Sequence, residues 1–199
     1  MNLRPLILAA AAFCAACSHQ PSPVPMPEVA ATAPLRLASY NTSLYTERSG
    51  GLIEDLRAGS EQARAIAAVL QQVRPDVVLL NEFDFDPDGT AAALFQRQYL
   101  EVAQPGGGEP LHYAYHYLAP VNTGVPSGLD LDNNGEVGGK GRSRGNDAWG
   151  YGLHPGQYGM LLLSRHPIDA AAARSFQLLK WHTLPGAQRP LDPASGAPY

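Results

Sequence analysis

Apolar and polar positions change period several times along this chain, and each change predicts an element. Leu35-Arg36-Leu37-Ala38-Ser39-Tyr40 alternates, which predicts a strand ending at Asn41. Thr42 to Gly59 keeps no period and reads as a loop, with Gly50-Gly51 as its flexible point and a short turn at Leu52–Arg57. From Ser60 the period becomes helical. Ser60 suits an N-cap and Glu61 the first turn; Ala63, Ile66, Ala67, Leu70 and Val73 share one face until Pro75 stops the helix. Val77-Val78-Leu79-Leu80 is an unbroken apolar run behind a proline and predicts a strand buried on both faces. Strand, helix and strand over residues 35–81 form a crossover unit, right-handed if its strands are parallel.

Further along, Pro87-Asp88-Gly89-Thr90 predicts a turn and cap. Ala91 to Val102 predicts a second helix with Leu94, Tyr99 and Leu100 partly buried, broken by Gln104-Pro105-Gly106-Gly107-Gly108. Tyr113, Tyr115 and Tyr117 alternate with Ala114 and His116, as in a strand. Ala119 to Gln157 is a long glycine-rich loop, and such loops in compact domains are functional or disordered. Tyr158 to Ser164 holds Met160-Leu161-Leu162-Leu163, another buried strand, turned by Arg165-His166-Pro167. In Ala170 to Leu179 the alanines favour helix, while the preceding strand and turn favour a hairpin partner; a strand is expected.

The first seventeen residues follow different rules. Met1-Asn2-Leu3-Arg4 carries one positive charge, and Leu6 to Ala16 is apolar but too short to span a bilayer. The stretch ends in Cys14-Ala15-Ala16-Cys17, and small residues before a cysteine resemble a bacterial lipoprotein signal. Cys17 is the candidate for lipidation, because Phe13 before Cys14 is too large. Residues 1–17 are therefore expected to be a signal, and the expected location is the bacterial cell envelope: lipid-anchored at the outer membrane or facing the periplasm, or secreted. Residues 18–34, with their alternating prolines, favour an extended polyproline form and read as a tether. Residues 35–199 remain as one domain.

Composition adds bounds. Both cysteines lie in the signal, so the domain has neither a disulfide nor a thiolate metal site. Charged residues make up only 16% and the net charge is −4 without a block of like charges, so no basic footprint supports binding of long nucleic acid.

Candidate chemistry gathers at strand ends. Open α/β sheets place their sites at the carboxyl ends of strands, which is where Glu82 falls. Glu82 is read as a metal ligand, with Asn41 beside it at the end of the neighbouring strand. Asp84 and Asp86 read as a loop cap rather than further ligands, and His166 as a turn residue; His154 is a candidate phosphate contact. A second cluster, Asp130-Leu131-Asp132-Asn133-Asn134-Gly135-Glu136, opens like a calcium loop. Its twelfth position is Gly141 instead of Glu and no helices flank it, so it is not an EF-hand; Asp130, Asp132 and Asn134 remain Ca²⁺ ligand candidates, with Asp147 as a further acid. Lys140, Arg142 and Arg144 lie on a flexible strip that either meets a phosphorylated substrate or is solvated.

Three stretches together resemble the endonuclease/exonuclease/phosphatase superfamily, the DNase I-like metal-dependent phosphoesterases. They are Leu35 to Asn41, Arg74 to Glu82, and Gly156-Gln157-Tyr158-Gly159 with the following strand to Ile168. The second motif usually has Gln before Glu; this chain has Asn81. The resemblance implies an α/β (α+β) fold, a four-layer sandwich of two mixed β-sheets with outer helices. This chain would supply about its first half, as a truncated domain. It implies Mg²⁺ (or Mn²⁺) at Glu82, a phosphate-orienting role for Asn41, and a phosphate contact for Tyr158. A hard cation fits, since it prefers oxygen donors and often takes only one or two carboxylates from the protein. The family's later motifs, Gly-Asp-x-Asn and Ser-Asp-His, do not occur in the chain. The implied protein is a phosphoesterase of unspecified substrate, attached to a membrane by lipid, and the isolated chain is expected to be nearly inactive. The alternative is a non-catalytic calcium-binding envelope lipoprotein; a small-molecule binding module is a third reading, for which Tyr113, Tyr115, Tyr117, Trp149 and Tyr151 show no binding pattern.

Overall fold

The computed structural model describes residues 34–192 and 194–197. The expected signal with Cys17, and the tether up to Ala33, lie outside the described residues. Among those described, no helix is long and apolar enough to cross a membrane.

The alternation that starts the domain becomes strand β1, Leu37–Leu44, which runs past the expected end at Asn41. It continues because its neighbour continues. β2, Val77–Phe83, pairs with it in parallel from Leu37↔Val77 to Asn41↔Asn81, and after an irregularity again at Leu44↔Phe83. Ser43 takes up the irregularity in a left-handed conformation, φ 47°. β4, Met160–Ser164, pairs antiparallel with the other side of β2, and β3, Tyr115–Leu118, pairs antiparallel with β4. The result is a mixed four-stranded sheet, ordered β1-β2-β4-β3.

Two helices make the crossover. Helix α1, Gly51–Ala58, replaces the expected short turn, since Leu52 and Leu56 lie four apart on one face and are buried. Helix α2, Glu61–Val73, starts as predicted: Ser60 Oγ accepts the Ala63 N–H at 3.2 Å. Ala63, Ile66, Ala67 and Leu70 are buried, but Val73 at the helix end is exposed, and the buried polar residue of that turn is Gln71. Its amide is satisfied by Leu100 O at 2.9 Å and Val102 O at 2.8 Å. The second predicted helix is α3, Thr90–Phe95, continued by a π-turn over Gln96–Leu100. Leu94, Tyr99 and Leu100 are buried in the core rather than partly exposed. Tyr99 joins the helices, donating its hydroxyl to Leu56 O at 2.6 Å and accepting the Ser60 N–H at 2.9 Å.

All three helices contribute to one core with Val78, Leu80, Phe83, Leu161 and Leu163. Among the described residues the other face of the sheet has no such layer. The apolar run of β2 therefore alternates in burial instead of being covered on both sides: Val78 and Leu80 are inside, Val77 and Leu79 only half-buried. Met160 and Tyr115 are exposed. Among the described residues the second sheet of the expected sandwich has no counterpart. The expected strand at Ala170–Leu179 is also absent. Asp169 caps a single 3₁₀ turn, Ala170–Ala172, and from Ala173 to Leu179 the chain is coil and turn, with Phe176 and Leu178 in solvent. The four alanines offer little surface to bury, and Phe176 and Leu178 stay 70% and 90% exposed, so neither helix nor strand gains the packing it needs to propagate.

The long loop is tied down. Bridges Thr123↔Gly150 and Pro126↔Ala148 close it, and it contains the short helix α4, Arg142–Asn146.

Candidate active site at the strand ends

β1 and β2 are parallel, so their carboxyl ends emerge together, and Asn41 and Asn81 are direct partners. Glu82 follows with φ 55°, a left-handed conformation inside a strand, which turns its half-buried side chain relative to the pleat. Asn41 Oδ1 accepts the Ser43 N–H at 3.1 Å. Ser43 Oγ lies 3.4 Å from Asn41 Oδ1 and 3.3 Å from Glu82 Oε2, so its hydroxyl links the two side chains. Ser43 was not singled out in the sequence; an Asn followed two residues later by Ser is a readable turn signal. Helix α2 fixes this corner from beneath, with Gln62 Nε2 donating to Thr42 O at 2.7 Å and Ser43 O at 3.0 Å. Asn81 faces elsewhere and donates to Ser39 Oγ at 3.0 Å.

The segment before β4 approaches from the opposite side. Gly159 O accepts the Phe83 N–H at 3.0 Å and Gly156 O the Phe85 N–H at 2.9 Å. A Cβ at Gly159 would sit 2.8 Å from Phe83 O, and one at Gly156 2.9 Å from Phe85 O, so only glycine allows this approach. Tyr158, between them, has φ 57°. Its hydroxyl is pushed above the usual tyrosine range by burial, then by the neighbouring Tyr45, Tyr151, Glu82 and Asp84, so it remains a proton donor at neutral pH.

Asp84 caps loop N–H groups, as expected, but from a buried position. It is 6% exposed, and its carboxylate ties both flanks of the site. Oδ2 accepts the Thr46 N–H at 2.8 Å and Oδ1 the Tyr158 N–H at 3.1 Å. Burial raises its pKa, opposed by these N–H bonds, by His154 and by the Thr46 hydroxyl. His154 is buried as well, with Nε2 3.0 Å from Thr46 O and 3.8 Å from Asp84 Oδ2, so it belongs to this tie instead of a phosphate pocket. Gln157 Nε2 donates to the same carbonyl at 2.7 Å. Asp86 is the cap, accepting the Thr90 and Ala91 N–H groups at 2.8 and 3.0 Å. His166 is an exposed turn residue whose N–H is held by Ser164 Oγ at 3.0 Å.

Glu82, Ser43 and Asn41 present oxygen donors together, and among the described residues no cation pairs with Glu82. That donor chemistry fits a hard divalent ion. A second carboxylate group lies in the long loop, where one oxygen from each of Asp130, Asp132 and Asp147 falls within 4.8 Å of the others. Asp147 is the third member of this group, while Asn134 Oδ1 is engaged by the Glu136 N–H at 2.8 Å.

The sequence model of the endonuclease/exonuclease/phosphatase family matches residues 38–199. A solved endonuclease/exonuclease/phosphatase from Beutenbergia cavernae is similar at 20% identity and a TM-score of 0.29, covering 67% of this chain and 26% of its own. This chain thus spans about a quarter of that protein's length. No curated protein matches. Sheet and helices make a mixed α/β fold with a four-stranded mixed sheet. The chain belongs to the endonuclease/exonuclease/phosphatase family, whose members act on phosphoesters and nucleic acids and use a divalent metal.

Proposed function

We propose that residues 35–199 carry the Glu82 side of a metal-dependent phosphoesterase centre. The observation that carries this reading is the oxygen cluster of Glu82, Ser43 and Asn41 at the ends of two parallel strands. Glu82 would hold Mg²⁺ or Mn²⁺, which when bound offsets charge on the phosphoryl oxygens. Asn41 orients the phosphoryl group with its amide, and Ser43 keeps the carboxylate and the amide in register. Tyr158 donates its protonated hydroxyl to a phosphoryl oxygen. The chain lacks the family's later acid–base motifs, so turnover by these residues alone is expected to be nearly absent while binding persists. The lipobox-like Cys14-Ala15-Ala16-Cys17 supports a lipid anchor at Cys17 in a bacterial envelope.

Titration with Mn²⁺ tests the centre. The full chain is expected to bind one ion at the strand ends, with affinity falling at least about tenfold in Glu82→Gln. Unchanged affinity in that variant would remove Glu82 from the site. Efficient Mg²⁺-dependent hydrolysis of an aryl phosphodiester by the chain, lost on Glu82→Ala, would show the centre to be complete. Membrane fractionation of the same protein, with Cys17→Ser as the control, tests the anchor.

The carboxylate group Asp130, Asp132 and Asp147 favours a second reading, a Ca²⁺-held loop. Millimolar Ca²⁺ is then expected to raise Tm by a few degrees in the wild type and not in Asp132→Ala. Equal melting with and without Ca²⁺ would exclude it.

A further inference from the structure

A row of rings runs along the rim of the Glu82 site. Tyr45 follows β1, Tyr158 precedes β4, and Tyr151 comes from the long loop. The centroids of Tyr45 and Tyr158 are 4.4 Å apart and those of Tyr151 and Tyr158 6.4 Å apart, both within the usual range of aromatic contact. The Arg142 guanidinium lies 5.8 Å from the Tyr151 centroid, closing the row with a positive charge. Tyr158 is tied back to the strand ends, where Asp84 Oδ1 accepts its N–H at 3.1 Å.

Core filling does not account for this arrangement. Tyr45 is 36% and Tyr151 42% exposed, and Trp149 close by is 60% exposed. Yet the outer ring is held firmly. Gly145 of α4 leaves space for it, because a Cβ there would meet Tyr151 Cε2 at 2.8 Å. On either side of Tyr151 the chain is pinned: Gly150 by its bridge to Thr123, and Gly152 against Gly124 N, 2.6 Å from where a Cβ would stand. An exposed aromatic ring fixed in place beside a polar site has the properties of a binding surface, because planar ligands lose little entropy on stacking against it.

We propose that Tyr45, Tyr158, Tyr151 and Arg142 form the specificity element of the site, receiving a planar ring on the alcohol portion of the substrate while the Glu82 end takes its phosphoryl group. The substrate is then a small phosphoester of a ring-bearing alcohol, and the long loop serves to deliver Tyr151 and Arg142 to the rim. The absence of a basic block elsewhere favours a small ester over a long polyanion. This inference rests on the phosphoesterase reading.

The test compares three probes binding to the full chain in Mg²⁺: adenosine monophosphate, methyl phosphate and adenosine. The expected result is that adenosine monophosphate binds at least about tenfold more tightly than methyl phosphate. Tyr151→Leu and Tyr45→Leu should erase that difference without changing methyl phosphate binding, while Tyr151→Phe, which keeps the ring, should retain it. Glu82→Gln should weaken both phosphates and spare adenosine. Equal binding of the two phosphates overturns the ring subsite and leaves the phosphoesterase reading standing. Adenosine binding as tightly as its monophosphate, dependent on the tyrosines and indifferent to Glu82, upholds the ring subsite and overturns the phosphoesterase reading. No binding by any probe overturns the ring subsite, and so does normal discrimination in a folded Tyr151→Leu variant.

Discussion

Two aspartates, one at each end of the molecule's chemistry, do the same job with opposite electrostatics. Asp84 at the strand ends accepts the backbone N–H groups of Thr46 and Tyr158. Asp147 in the long loop accepts those of Leu131 and Gly138, both at 2.7 Å. Each is nearly inaccessible, at 6% and 2% exposure. Still, burial raises the pKa of Asp84, while the Gly138 N–H, ahead of burial and of the Leu131 and Asp132 N–H groups, lowers that of Asp147. The surroundings explain the contrast. Asp84 follows Phe83 of the core and lies 3.8 Å from Nε2 of buried His154, so its charge has lost most of its water. Asp147 is covered only by a thin loop whose residues 131–137 are exposed, so solvent polarisation remains within reach. Coverage of a carboxylate and its desolvation are different quantities: the first is set by the nearest atoms, the second by the depth of protein behind them.

The largest effect is expected at Asp84. Asp84→Ala leaves the Thr46 and Tyr158 N–H groups buried without an acceptor, and the cost should reach about 3 kcal/mol in urea unfolding of the full chain. The same change should release Tyr158 from Tyr45, which near-ultraviolet circular dichroism reads directly. A cost below about 1 kcal/mol, the range of an exposed side chain, would place Asp84 in the same class as a surface carboxylate and remove the contrast.

The site was legible where local chemistry determined it. Ser60, Pro75 and the apolar period between them marked α2, and a carboxylate behind Val77-Val78-Leu79-Leu80 marked Glu82, because capping, helix arrest and strand termination are local events. The burial of Asp84 was not legible, for the converse reason. In the sequence Glu82-Phe83-Asp84-Phe85-Asp86 its carboxylate is indistinguishable from that of Asp86, and only the folding of Thr46, His154 and Tyr158 around it decides which of the two is buried. The tyrosine row was invisible likewise, since Tyr45 and Tyr151 meet Tyr158 only through tertiary structure. The alternation of burial in β2 was hidden because an apolar run does not reveal whether one layer or two will cover it. At Ala170–Leu179 the expectation leaned on a neighbouring turn, but Phe176 and Leu178 stay in solvent and no strand forms.

A finer division between the two carboxylates lies in pH dependence, measured on the metal-free chain. The folded-state pKa of Asp147 lies below its unfolded value, near 3.9 as for an ordinary Asp. Its stabilisation is therefore complete above that unfolded value and is lost as pH falls through the folded one. For Asp84 the sign reverses. Its folded pKa is raised, so the folded state binds the proton more readily than the unfolded chain. Ionising it costs stability as pH rises from the unfolded value through the folded one, and that cost persists at neutral pH. On acidification from neutral pH to about pH 3, Asp147 should destabilise the fold while Asp84 partly offsets the loss. Urea midpoints across that range resolve the two contributions. Relative to the wild type, Asp147→Asn should flatten the acid-side fall, because the group that loses its advantage is gone. Asp84→Asn should steepen it, because the opposing group is gone. Parallel curves for the two variants would mean that the depth of protein behind a carboxylate does not separate these regions, and that their N–H bonds alone set both titrations.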